Sequence, residues 1–320
     1  MAVSSLATMP ATSSHTRGAL WALGSSTAYS WSSVLGKQLQ DDLPTPSLLL
    51  WRFGIATCAL WLVLVAWRRR GGPDPADAPR RTTLALGAMF GLLVLLGFFA
   101  IERLEVSIYI VIVYTYPAFV VIGSSILGVR AGAWTWVALA LVMVGVALTV
   151  PELLGLTDGE GQQGIDSVGV ALTVLQAVVF AAYMILSSRV LPARLDGLVT
   201  AAWTTLGAAL VLAPIALVDG VEAPEAGNVW RLALFGLVPT LLSSVCFFRA
   251  LRHLRPGVVA MFLTLEVALA MVWSVLVLDE VVSGWHWLGA SVVVAGVLVA
   301  QWASLREARA EAAEAVPVGV

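Results

Sequence analysis

The sequence predicts an all-α polytopic membrane protein whose ten transmembrane helices form two inverted five-helix repeats. Three observations carry that expectation. Of 320 residues, 59% are hydrophobic and only 12% charged, with a mean hydropathy of +0.91; soluble domains carry about 25% charged residues and about 45–50% apolar ones. Ten apolar runs, each near the ~20 residues that cross a bilayer, are separated by short polar or Pro/Gly-rich gaps. The two halves match at offsets of 149 to 152 residues. A chain this poor in charge cannot cover a water-exposed surface, which excludes a soluble enzyme, a nucleic-acid binder and a disordered protein. Net charge is −2 with a single Lys, so no basic patch points to nucleic acid. Cys58 and Cys246 both lie in apolar runs and support neither a disulfide framework nor a zinc site.

The runs are 19–36, 48–67, 84–101, 106–129 and 134–150, then 168–186, 198–218, 230–248, 257–278 and 286–302. Their length excludes a β-barrel, whose strands alternate over about 10 residues. The first run resembles a secretory signal but lacks a strong basic n-region, and the second follows at once, so it is read as retained. The longer gaps, 68–83 and 151–167, cannot hold a domain. The organisation expected is a cytoplasmic tail over 1–16, a first repeat over 17–150, an extracytoplasmic linker over 151–167, a second repeat over 168–303 and a cytoplasmic tail over 304–320.

Lys and Arg set orientation. With the N-terminus inside, fourteen of these residues fall in inside gaps. Only Lys37, Arg103 and Arg231 fall outside, and Arg52 lies within a run. Both termini are therefore expected in the cytoplasm and the chain in the inner membrane. Five runs per half is an odd number, so the second half must insert upside down. Phe98-Phe99 answers Phe247-Phe248, Thr115 answers Thr264, Trp51 answers Trp203 and Gly145 answers Gly296. The loop charges invert as that geometry demands: the five-Arg gap at 68–81 answers Asp219, Glu222 and Glu225, and Arg130 answers Asp279-Glu280. Inverted repeats build alternating-access transporters with substrate at the midplane.

Glu266 lies ten residues into a 22-residue run. An acid there costs about 3 kcal/mol or more unless paired, hydrated or protonated, so it must face protein or water. It is the candidate substrate-binding and proton-coupling residue, against the bland reading of a permanent hydrogen bond to a neighbouring helix. Phe262 and Trp273, at i−4 and i+7, are placed on its face, a setting for an organic amine. Arg52, about five residues inside its run, either snorkels to the interface or supplies a counter-charge for a carboxylate. Thr173, Gln176, Phe180, Tyr183 and Ser187 form one stripe at helical spacing, and Ser26, Ser30 and Ser33, with Tyr29 beside them, another on the equivalent run. Packing accounts for the serines; Gln176 and Tyr183 stand between packing and binding. Tyr109 and Tyr116 share a face, and Tyr116 is too deep for an interfacial anchor. Trp21, Trp67, Trp134, Trp230, Trp285, Trp287 and Trp302 read as anchors. Pro117 and Pro239 kink their runs, and Gly87 and Gly91 suit close helix packing.

The stretch Phe247-Phe248-Arg249-Ala250-Leu251-Arg252-His253-Leu254-Arg255-Pro256, with Leu265-Glu266-Val267 and Asp279-Glu280, resembles the second half of an EamA-like permease of the drug/metabolite transporter superfamily. Trp51-Arg52-Phe53 and Tyr116-Pro117 resemble its first-half signatures. Val267 stands where members often carry Pro, and Arg130 leaves the first repeat without an acid after its fourth run. The resemblance implies spans one to four and six to nine around a cavity, five and ten at the periphery, and export or exchange of amino acids or related amphiphiles. No cofactor and no metal is expected; the partners are a small solute, lipid and, through Glu266, protons. The three histidines, His15, His253 and His286, lie in a tail and two gaps, and no nucleophile motif or metal-ligand spacing supports an enzyme. A non-transporting membrane scaffold or sensor is the other reading, and solute flux in proteoliposomes separates the two.

Overall fold

The computed structural model describes residues 11–40, 42–104, 106–129, 131–151, 166–192, 194–278 and 283–314. Glu105, Arg130, Asp279, Glu280 and most of the 151–167 linker lie outside them, as do the side chains of Ser33 and Lys37. Among the described residues there is no strand. The helices are α1 (Ala11–Gln40), α2 (Thr45–Arg68), α3 (Arg80–Ile101), α4 (Val106–Val113), α5 (Tyr116–Ile126), α6 (Ala133–Leu148), α7 (Ser167–Val190), α8 (Gly197–Asp219), α9 (Val229–Gly236), α10 (Ser243–Leu251), α11 (Pro256–Leu263), α12 (Leu265–Leu278) and α13 (Gly284–Glu314), with a π-helical turn at Leu237–Leu242 between α9 and α10.

Eight of these helical stretches are long and apolar enough to cross a bilayer. The run expected at 134–150 forms α6, 16 residues long, or about 24 Å against a hydrocarbon core of about 30 Å. The run expected at 19–36 lies inside the 30-residue α1, whose interior Ser25, Ser26, Thr27, Ser30 and Ser32 dilute its apolar character. Acids start the first two helices of the second half. Asp166 accepts from Val168 N at 2.8 Å to open α7, and Asp196 accepts from Leu198 N at 2.8 Å to open α8. Donation by Val168 holds the Asp166 carboxyl below the ordinary carboxylate range, helped by Gly169 and by Arg103 at 3.4 Å. Pro214 sits inside α8 without ending it.

Two runs are broken at matching places. Thr115 follows α4 and Thr264 follows α11, both with helix-like backbone (φ −74°, ψ −12° and φ −66°, ψ −14°). Each hydroxyl donates back to a carbonyl three residues earlier, Ile112 O and Met261 O, at 2.6 Å. Pro117 falls two residues after the first break, in the opening turn of α5, and Glu266 two residues after the second, in the opening turn of α12. The irregularity expected from Pro117 is thus a local break in the hydrogen-bond ladder just before it, with helix-like backbone.

Packing pairs the halves. α1 lies against α10, α11 and α12, and α7 against α3, α4 and α5; α2 meets α9 and the π-turn, and α8 meets α3; α2 meets α8, α5 meets α11 and α6 meets α13. With α4 and α5 taken as one span and α11 and α12 as another, exchanging each first-half span for its second-half counterpart carries this set of contacts onto itself. Glycines set the closest approaches. A Cβ on Gly87 would strike the Thr204 carbonyl and come within 2.9 Å of Gly207 Cα, where α3 crosses α8. Between α6 and α13, a Cβ on Gly289 would lie 2.5 Å from Thr149 N, and one on Gly296 2.9 Å from Val142 N. Six of the seven expected tryptophan anchors are exposed on the outer surface; Trp21 is instead half-buried beneath the Arg249 guanidinium, 4.6 Å from its ring centre.

Candidate functional site

Glu266 lies in the opening turn of α12, just after the local break in its run. It is half-buried there, as are Tyr29, Tyr109 and Tyr114. Tyr114 reaches Glu266 with a side-chain hydrogen bond, and Tyr29, Tyr109 and Arg52 lie within electrostatic range of the carboxylate.

Arg52 does not snorkel. It is 3% exposed, a buried cation on α2. Its Nε donates to Thr240 Oγ1 at 2.6 Å, and its guanidinium lies 4.4 Å from the Phe235 ring centre and 5.6 Å from that of Tyr29. Thr240 is held in turn by the π-turn. Pro239 has no N–H for the Phe235 carbonyl four residues back, and the Thr240 hydroxyl donates to that carbonyl at 3.2 Å. π-turns of this kind concentrate at functional sites.

Gln176, on α7, meets the Tyr109 hydroxyl. Its Oε1 is buried without a hydrogen-bond partner among the described residues. Buried acceptors are rarely left so.

The remaining sequence candidates are packed against neighbouring helices. Tyr116 is 3% exposed and donates to Ala260 O at 3.1 Å, tying α5 to α11. Tyr183 is buried in a stack with Phe90 and Phe247, ring centres 5.3 and 6.0 Å away. Phe262 is 6% exposed, packed in the core. Trp273 stacks on Trp31 at 4.6 Å and donates to Ser30 Oγ at 2.9 Å. Sequence reasoning passed over Tyr114 and left Tyr29 as a neighbour of the serine stripe. The signal for Tyr114 was Thr115, whose break turns Tyr114 and Tyr116 to different surroundings.

A solved structure titled "Crystal structure of protein" aligns over 91% of this chain and 99% of its own length at a TM-score of 0.75 and 17% identity, which shows a shared fold. No curated protein matches the sequence. The model of the EamA-like transporter family matches residues 16–150 and again 167–301. Those two matches cover most of the chain, one on each set of corresponding helices, and the chain belongs to the EamA-like transporter family, multi-pass membrane transporters of the drug/metabolite type.

Proposed function

We propose that the chain is a secondary transporter, of exporter type, for small organic metabolites such as amino acids or related amphiphiles. It works by alternating access around a midplane cavity between two inverted five-helix repeats, over 17–150 and 168–303, with ten spans and both termini in the cytoplasm of an inner-membrane protein. The inversion draws support from the odd number of runs per half, the opposed loop charges and the exchange symmetry of the helix contacts. The observation that carries the reading is Glu266, a carboxylate half-exposed inside the bundle at a helix break, with the buried Arg52 cation within electrostatic range.

That arrangement suits a zwitterion. Glu266 and the Gln176 Oε1 acceptor receive the ammonium end, Arg52 receives the carboxylate, and Tyr29, Tyr109 and Tyr114 contribute hydroxyls. Tyr116, Tyr183, Phe262 and Trp273 shape the walls, and the kinks at Pro117 and Pro239 set their angles. Glu266 also carries proton coupling. A carboxyl group in this position is stable neutral in a closed site, or charged when open to water or paired with a cation. Alternating access switches that exposure, so proton and ammonium exchange on one group.

The test is counterflow of radiolabelled amino acids in proteoliposomes. Wild type is expected to exchange at least one zwitterionic amino acid, and Glu266→Gln to abolish the response to a pH gradient while inserting normally. A chain that moves no solute from a broad panel would be the scaffold or sensor instead.

A further inference from the structure

We propose that the cleft between the end of α2, the turn leading to α3 and the first two turns of α8 binds the phosphate of an anionic phospholipid, with the acyl chains lying along the exposed flank of α2. The sequence concentrates five arginines in the 68–81 gap, and three of them, Arg68, Arg69 and Arg80, line an open cavity of about 660 Å³ together with Asp74, Trp61 and Trp203. The gap is a folded platform. Gly72 N donates to Trp67 O at 3.0 Å, Asp74 accepts from Ala76 N at 2.9 Å, and Trp203 Nε1 donates to Pro75 O at 3.0 Å, anchoring the turn to α8.

One carboxylate faces three guanidiniums. Asp74 engages Arg68 at 2.8 Å; Arg80 lies over the Trp203 ring at 5.6 Å, and Arg69 makes no ion pair among the described residues. α3 begins at Arg80 with no side-chain cap, so the free N–H groups of its first turn add to the positive field. The aromatic floor, Trp61 edge-on to Trp203 at 5.0 Å, suits the headgroup level of a bilayer.

Immediately along α2 the character changes. Leu62 is 72% and Val65 43% exposed on the outer surface. A ligand that fits must therefore be anionic at one end and apolar over the rest, which selects a lipid over a soluble phosphate. The corresponding gap of the second half carries Asp219, Glu222 and Glu225 and no arginine, so the fold itself does not demand this cleft. The site is independent of what the chain transports.

The test titrates the purified full chain in detergent with phosphatidylglycerol or phosphatidylcholine, read by native mass spectrometry. Two arginines near a bilayer surface are worth about fivefold each. Wild type is expected to prefer phosphatidylglycerol by about 30-fold, and Arg69→Gln/Arg80→Gln to bring the two lipids near parity. Arg306→Gln/Arg309→Gln, the same charge change at exposed positions on α13, is expected to keep the preference. Equal binding of the two lipids to wild type overturns the proposal. So does an equal loss in both double variants, which would mean diffuse surface charge. Displacement of the lipid by millimolar inorganic phosphate would assign the cleft to a soluble anion. The lipid comparison and the phosphate competition need no variant, so they decide the matter even if a substitution fails to fold.

Discussion

Three glycines in comparable helical settings are expected to answer the same substitution in three ways. Replacing a helix-interior Gly by Ala gains about 1 kcal/mol if the new methyl finds room. Gly54, within α2, has nothing within 4 Å of the added Cβ, so Gly54→Ala should stabilise by that amount. Gly87 faces the Thr204 carbonyl and Gly207 Cα. Backbone cannot step aside, and overpacking of about 1–3 kcal/mol outweighs the propensity gain, so Gly87→Ala should lose about 1 kcal/mol or more. Gly97 is the informative case. Its Cβ would meet the Gln176 amide nitrogen and lie 3.0 Å from the Tyr109 hydroxyl, both at the tips of movable side chains. Displacing the amide costs its hydrogen bond to Tyr109, about 1 kcal/mol, which cancels the propensity gain. Folding should be unchanged while solute affinity falls about fivefold. Thermal unfolding in detergent reads the first quantity, at about 2 °C per kcal/mol for a chain of this size, and concentration-dependent flux in proteoliposomes the second. If Gly97→Ala melts as low as Gly87→Ala, Gln176 is locked in the core. If it transports with unchanged affinity, Gln176 plays no part in binding.

Glu266→Asp should keep a pH-gradient response with a displaced optimum where Glu266→Gln loses it; unchanged pH dependence of flux in the Gln variant would leave Glu266 a structural hydrogen bonder. Reporters fused at Pro75 and at either terminus should read cytoplasmic, and one at Gly159, outside the described residues, periplasmic; external labelling at Pro75 would break the ten-span topology. Arg52→Met should reduce transport of zwitterionic solutes by an order of magnitude or more and that of simple amines far less, measured as paired uptake ratios; equal losses would make Arg52 structural. Burial, with the charges of Arg252, Arg17 and His15 around it, holds the His253 imidazole below its ordinary value, and Ser14 Oγ meets its Nδ1 at 3.0 Å. The folded state thus prefers neutral His253, the unfolded chain takes up the proton first, and stability should fall as pH drops below about 6.5. Melting of His253→Asn should depend less on pH across that range, and an equal slope in both proteins would refute the assignment.

Composition and run length made the all-helical membrane class legible, because a span must be apolar to exist. Pairing of the halves was legible at Thr115 and Thr264 for a physical reason: both hydroxyls do the same local work at a helix break. What hydropathy cannot show is where a helix stops being continuous. The helical spacing around Glu266 gave no sign of the local break at Thr264 or of the core packing of Phe262. Arg52 stood between snorkelling and burial because depth along a run says nothing about which face meets lipid. That choice is made by α9 and the π-turn, nearly 190 residues away in sequence. The polar interior of α1 hid its length, and the tyrosines beside Glu266 became visible only once the chain was folded around them.

Pro239 carries no charge and forms no hydrogen bond with its own nitrogen, yet it determines where a charge stands. Because its nitrogen cannot serve Phe235, the Thr240 hydroxyl gives its single proton to that carbonyl and turns its lone pairs to Arg52. Restoring an ordinary amide at position 239 would give Phe235 O a backbone donor and release the hydroxyl to rotate. The guanidinium would lose its fixed acceptor without any change to Arg52 or Thr240. The charge environment of Glu266 is thus written partly by an aliphatic ring, and a scan confined to charged and polar positions would never find it.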